Sequence, residues 1–227
     1  VKSLIGGLLA VLLFTASLAS MSASAQTVQT VQTRKSALIL IEFQNDWMAP
    51  TGGINSQFKD RPQFDESVAN ARKVLVEARR RHMEVIYVTM TLDPSYKVLG
   101  QAKYGLRAMM PKYKSFLGHQ ADIFPGFEPN ADEYVIRERS GSSAFAGTTL
   151  DSYLRNNHIE DIYLMGYSLR QCVESTLRNA HDLGYNTNVI YDASAGFTRE
   201  QQTSFVKEIA PFYGNAITAQ AFLTSAN

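Results

Sequence analysis

"ALILIEF" (residues 37–43) decides the fold: six apolar residues, rich in branched side chains, interrupted near the end by one carboxylate, Glu42. A near-continuous apolar run of this length reads as a strand covered on both faces. Outward from it, "DESVANARKVLVEARRRH" (65–82) places Val68, Ala71, Leu75 and Ala78 near a 3.6-residue period, with Asp65 early and arginines in the last turn. Those charges match the polarity of a helix dipole. "EVIYVTM" (84–90) is then a second strand, and strand, helix, strand is the pattern of a crossover in a parallel sheet. Further strands are predicted at "EYVIR" (133–137), "DIYLMGY" (161–167), "TNVIYDA" (187–193) and "NAITA" (215–219). Helices are predicted at "FAGTTLDSYLRNNH" (145–158), at "CVESTLRNAHDLGY" (172–185), which Gly184 closes, and at "REQQTSFVKEIAPF" (199–212). Residues 92–130 hold no sustained period and read as a long loop region with one short helix, apolar enough to line a pocket or an oligomer contact. The fold class is α/β with a mostly parallel sheet.

The whole chain has 227 residues, 45% hydrophobic and 19% charged, with a formal net charge of +1. That balance predicts one globular domain and gives no electrostatic reason to expect nucleic acid or an anionic membrane surface as partner. A small-molecule substrate fits better. At the start, Lys2 precedes the apolar run "LIGGLLAVLLF" (4–14), and "SASAQ" (22–26) sets Ala23 and Ala25 as an A-x-A cleavage signal. Residues 1–25 therefore read as a secretory signal peptide, 26–35 as a flexible linker and 36–227 as the domain, with a periplasmic or secreted destination and no membrane attachment after cleavage. The run is too short for a spanning helix, which needs about twenty apolar residues. One cysteine cannot form an internal disulfide, so Cys172 is either a buried, inert residue or a reagent.

In an open parallel sheet, ligands collect beyond the carboxyl ends of the strands. Three groups fall there: Glu42 after the first strand, Arg139 after the third and Cys172 after the fourth. Cys172 begins an amphipathic helix, whose first amides favour a thiolate and offer an oxyanion hole, and Arg139 or Arg170 adds positive charge. Glu42 is either a solvated or salt-bridged strand-end carboxylate or a general base. Arg139 is either a solvated loop residue or an electrostatic partner, since arginine does not exchange its proton at neutral pH. The histidines, His82, His119, His158 and His181, have no metal-ligand spacing, and neither a GxGxxG nor a P-loop fingerprint appears, so no metal and no cofactor are expected.

Three blocks in order resemble the isochorismatase-like cysteine hydrolase family: "ALILIEFQNDW" (37–47), "VIRERSGSSAFAGTTLDSYLR" (135–155) and "IYLMGYSLRQCVESTLRNAHDLGYNTNVIYDASAGFT" (162–198). The resemblance implies a three-layer αβα fold around a central, mostly parallel β-sheet (Rossmann-like), usually oligomeric, with a Cys/Asp/Lys triad. Cys172 matches the nucleophile. Glu42 stands where the family usually has aspartate. Arg139 falls on the lysine position by an ungapped count from Phe145, and one inserted residue would put Glu138 there instead. The resemblance also implies a cis peptide at Tyr167 and Ser168, and an oxyanion hole from the amides around Gln171 and Cys172. Family nicotinamidases carry a metal-binding Asp/His cluster after the second strand; "VTMTLDPSYK" (88–97) has no histidine, which argues against that type.

The expected activity is a secreted, metal-independent cysteine hydrolase that cleaves a C–N bond of a small amide or carbamoyl-type substrate through a thioester acyl-enzyme. Phe43, Trp47, Tyr104, Phe145 and Tyr167 are candidates for the pocket wall, each with an alternative reading as a core aromatic. The rival class is a secreted binding or interaction protein that keeps the fold while its altered triad no longer turns over. Thiol reactivity separates the two, because a catalytic Cys172 is expected to have a depressed pKa.

Overall fold

The computed structural model describes residues 35–225. Residues 1–34, which include the expected signal peptide and nearly all of the expected linker, lie outside the described residues.

Among the described residues there are six strands: β1 (Lys35–Ile41), β2 (Glu84–Val88), β3 (Tyr134–Ile136), β4 (Ile159–Gly166), β5 (Asn186–Ile190) and β6 (Asn215–Ile217). They form one sheet in the order β3-β2-β1-β4-β5-β6, with every pairing parallel. The main helices in chain order are α1 (Asn45–Met48), α2 (Arg61–Arg80), α3 (Gly105–Tyr113), α4 (Leu150–Asn156), α5 (Glu174–Asp182), α6 (Arg199–Ser204), α7 (Ala210–Tyr213) and α8 (Ala219–Thr224).

The apolar run that opened the reading explains the layering. Side chains along a strand alternate between faces. Leu38 and Leu40 pack into one core with Val74, Leu75 and Ala78 of α2 and Phe222 of α8. Ala37, Ile39 and Ile41 enter a second core with Leu154 of α4 and Leu177 and Ala180 of α5. From Ala37 to Ile41 the strand is wholly buried, which is why it shows no polar alternation.

Element boundaries follow local chemistry. The helix expected at 65–82 starts at Arg61, because the Asp60 side chain caps it by accepting from the Gln63 amide at 3.0 Å and Pro62 sits in its first turn. The helix expected at 145–158 begins only at Leu150: the preceding residues make a tight loop, with the Ser140 amide donating to the Ala146 carbonyl at 3.0 Å. The helix expected at 199–212 is broken into α6, a π-type turn Phe205–Ile209 and α7. Pro211 has no amide hydrogen to return to the previous turn. A π-type turn Leu169–Val173 likewise precedes α5, so Cys172 lies in that turn and not in the α-helix itself. Within residues 92–130 the expected short helix is α3, accompanied by 3-10 turns at Lys97–Leu99 and Gly118–Ala121.

Register positions the site. Ile41 is level with Val88 and Gly166, and Val88 with Ile136. The four strands thus end at one edge, and the order reverses between β1 and β4, where such sheets bind ligands.

Candidate active site

Glu42 is the first residue beyond β1 and turns the chain into α1 with a left-handed backbone, φ 56°. A non-glycine residue in this region costs about 1 kcal/mol or more, and the strain is held here by the Glu42 amide donating to the Val88 carbonyl at 3.0 Å. Its carboxylate is buried; one oxygen accepts from the Trp47 indole N–H and the other pairs with Nη2 of Arg139. Gln44 and Asn45, next along the chain, fasten this corner. The Gln44 side chain bonds the Met90 carbonyl and amide at 2.8 and 2.9 Å and reaches the Ala121 carbonyl, while Asn45 donates to the His119 carbonyl at 2.9 Å.

Arg139 starts two strands away, after β3, and its loop folds back over the sheet edge. The loop is latched to the nucleophile helix: the Ala144 amide donates to the Thr176 hydroxyl at 2.9 Å, and that hydroxyl donates to the Cys172 carbonyl at 2.7 Å. Glu138 is exposed, whereas Arg139 is buried. Its Nη2 touches two groups at once, the Glu42 carboxylate and, at 3.5 Å, the Cys172 sulfur. The side chains expected to converge from three strand ends do so on one nitrogen atom. Arg170 is not part of this arrangement; it pairs with Glu174 at 3.0 Å and donates to Ser204 at 3.0 Å.

Burial governs the electrostatics. It pushes the Cys172 thiol above its ordinary value, and Arg139 only partly opposes the shift. Burial also pulls the Arg139 guanidinium down, against the pull of Cys172. Against the expectation of a resting thiolate stand the pairing of Arg139 with Glu42 and the burial of Cys172, which is 2% exposed.

The peptide between Tyr167 and Ser168 is cis. The Tyr167 amide donates to the Ile41 carbonyl at 3.1 Å and the Gln171 amide, one of those expected in the oxyanion hole, to the Ser168 carbonyl at 3.2 Å, so both are spent. This leaves the Ser168 and Cys172 amides as the ones to consider. The Ser168 hydroxyl itself bonds the Gln171 side chain.

A cavity of about 60 Å³ lies against Glu42 and Cys172. Of the five aromatics expected in its wall only Trp47 is there. Phe43 and Tyr167 are core residues, packed on each other with ring centroids 5.2 Å apart, the Tyr167 hydroxyl turned to Ser67 at 3.1 Å. Phe145 stacks on Tyr185, in the core on the other face. Tyr104 is 87% exposed, because it precedes α3 and no element covers it. The wall instead uses Ile54, Gln57, Ser115, Phe116, Phe197 and one face of α3: Leu106, Met109, Met110 and Tyr113. Those four follow an i, i+3, i+4, i+7 stripe, a signal present in the sequence but confined to two turns.

Similarity to known proteins accords with this geometry. Residues 36–221 match the family model described as the isochorismatase domain. The chain is 28% identical, over 205 residues covering 84% of it and 81% of the relative, to the ureidoacrylate amidohydrolase RutB of Variovorax paradoxus (strain S110). Among solved structures it resembles an isochorismatase family protein of Desulfovibrio vulgaris subsp. vulgaris str. Hildenborough, at TM-score 0.72 and 22% identity, covering 83% of this chain and 96% of that one. It also resembles the N-carbamoylsarcosine amidase of Thermoplasma acidophilum, at TM-score 0.61 and 23% identity, covering 82% and 96%. On the extent of the family match, the chain belongs to the isochorismatase domain family.

Proposed function

We propose that the protein is a cysteine hydrolase that cleaves the C–N bond of a small amide or carbamoyl-type substrate through a thioester on Cys172. One observation carries this reading: Arg139 Nη2 is shared between the Glu42 carboxylate and the Cys172 sulfur, at the wall of a cavity. The amidohydrolase activity named for the Variovorax relative supports the reaction class.

The shared cation explains how a thiol with a raised pKa becomes a nucleophile. Transfer of the Cys172 proton to Glu42 converts carboxylate and thiol into acid and thiolate; net charge is unchanged, and Arg139 keeps one anionic partner throughout. The thiolate attacks the carbonyl carbon, a C–S bond forms and the carbonyl π electrons move to oxygen, where amides such as that of Cys172 stabilise them. The C–N bond then breaks as Glu42 returns the proton to the departing nitrogen. In the second half, Glu42 takes a proton from water, the resulting hydroxide attacks the thioester, the C–S bond breaks, and the thiolate recovers the proton from Glu42.

The burial of Cys172 favours a second reading, an inert thiol in a binding protein. Incubation with a panel of small amides, followed by intact-mass measurement and ammonia assay, separates the two. The hydrolase gives an acyl adduct on Cys172 and releases ammonia, and Cys172→Ala abolishes both; a binding protein gives neither with any amide.

A further inference from the structure

Resting on that reading, we infer that the substrate is an uncharged amide carrying a small apolar substituent, and that α3 supplies the wall that selects it. The cavity wall is mostly carbon, from Trp47, Leu106, Met109, Met110, Phe116 and Phe197 among others. Its polar members are the reacting pair Glu42 and Cys172, the neutral Gln57 and Ser115, and the phenol of Tyr113. Among the described residues no lysine or arginine lines it. Arg139 is not among the lining residues: its Nη2 is shared between Glu42 and Cys172, its Nε and Nη1 are buried without a hydrogen-bond partner, and the cations of α3, Arg107 and Lys112, fall off the stripe that faces the cavity.

The charge argument follows. A substrate carboxylate in this cavity would give up its hydration, meet no cation on the lining, and lie near the carboxylate of Glu42, all of which oppose binding. A neutral amide meets no such penalty, and its apolar substituent removes carbon surface from water against the methionines. Size sets the next limit. A cavity of about 60 Å³ suits a small amide with a short substituent. Met109 and Met110, unbranched and adaptable, are suited to fit around small differences in that substituent.

Trp47 is the only tryptophan in the chain and lines the cavity, so its fluorescence reads occupancy without turnover. The test is titration of Cys172→Ala with isobutyramide and, separately, with malonamate, an amide of similar size bearing a carboxylate. The expected result is a saturable change with isobutyramide and at least ten-fold weaker binding of malonamate, with the preference reversed by adding Met109→Lys. Equal or tighter binding of malonamate, or no saturable change with either, overturns the substrate class. Intact mass of the cysteine-bearing protein keeps the two proposals apart. A Cys172 adduct from malonamate and none from isobutyramide leaves the hydrolase standing and overturns this inference. Isobutyramide binding without adduct or ammonia leaves the ligand preference standing and overturns the hydrolase.

Discussion

At the scale of single residues, Arg139 is the hinge of the site, because one of its nitrogens contacts both the Glu42 carboxylate and the Cys172 sulfur with almost no access to water. Removing one member of a buried pair leaves the other charged and unpaired, which costs about 3–5 kcal/mol. Arg139→Ala and Glu42→Gln are each expected to lower unfolding free energy by that amount in urea titrations. Arg139→Ala should also abolish hydrolysis, since the thiolate formed in the first step would have no cation. Thr176 acts one step back, its hydroxyl joining the Cys172 carbonyl to the Ala144 amide of the Arg139 loop. Thr176→Val, nearly isosteric, loses both bonds, leaves buried backbone groups unsatisfied and is expected to cost about 2–4 kcal/mol in the same measurement.

Among the elements, α1 carries a tie that holds the cavity wall. Asp46 accepts from the Gly53 amide at 2.9 Å and from the Phe116 amide at 3.2 Å, and Phe116 lines the cavity just beyond α3. Burial raises the Asp46 carboxyl from 3.8 to about 6, against the pull of those two amides. The sign follows from linkage: between pH 4 and 6 the folded protein keeps a proton that the unfolded chain releases, so this group makes stability fall as pH rises through that window. Two pH units of displacement amount to about 3 kcal/mol. Asp46→Asn is expected to be less stable than the parent near pH 4, where it lacks an acceptor for Phe116, and to lose most of that deficit by pH 7. Urea titrations at the two pH values check this, and a deficit that stays constant would contradict it. Strand contact is equally tight where β4 ends beside β1. A side chain at Gly166 would begin 2.1 Å from the Ile41 carbonyl oxygen, one residue before Glu42. Gly166→Ala is therefore expected to cost about 1–3 kcal/mol and to displace Glu42, lowering activity more than binding.

Over the whole molecule, the reagents come from three separate crossovers and meet because parallel register brings their strand ends level. That much was legible from the chain: the buried run 37–43 announces a strand covered on both faces, and charged or nucleophilic residues just past apolar runs mark the ligand edge of a parallel sheet. The order of strands was not, since periodicity carries no information about which strands are neighbours. The pocket wall was misread for a related reason. Phe43 and Phe145 have the composition of wall residues, but strand alternation and loop packing turn them into the two cores. The true wall, α3, has a stripe of only two turns and no residue buried in the chain, so its period is weak. The thiol's state was also hidden, because the depressing effect of a nearby arginine is visible in sequence while its prior engagement by Glu42 is not. The central claim, that Glu42 and Cys172 compete for one buried cation, is tested most directly by titrating Cys172. As the only cysteine, it can be followed by the carbon-13 shift of its β-carbon in the parent and in Glu42→Gln. The expected parent pKa lies above that of a free thiol, because burial disfavours the thiolate. In Glu42→Gln, with Arg139 released to the sulfur, it should fall by about one unit or more while hydrolysis is lost. An identical pKa in the two proteins would contradict the shared cation and, with it, the proposed route to the thiolate.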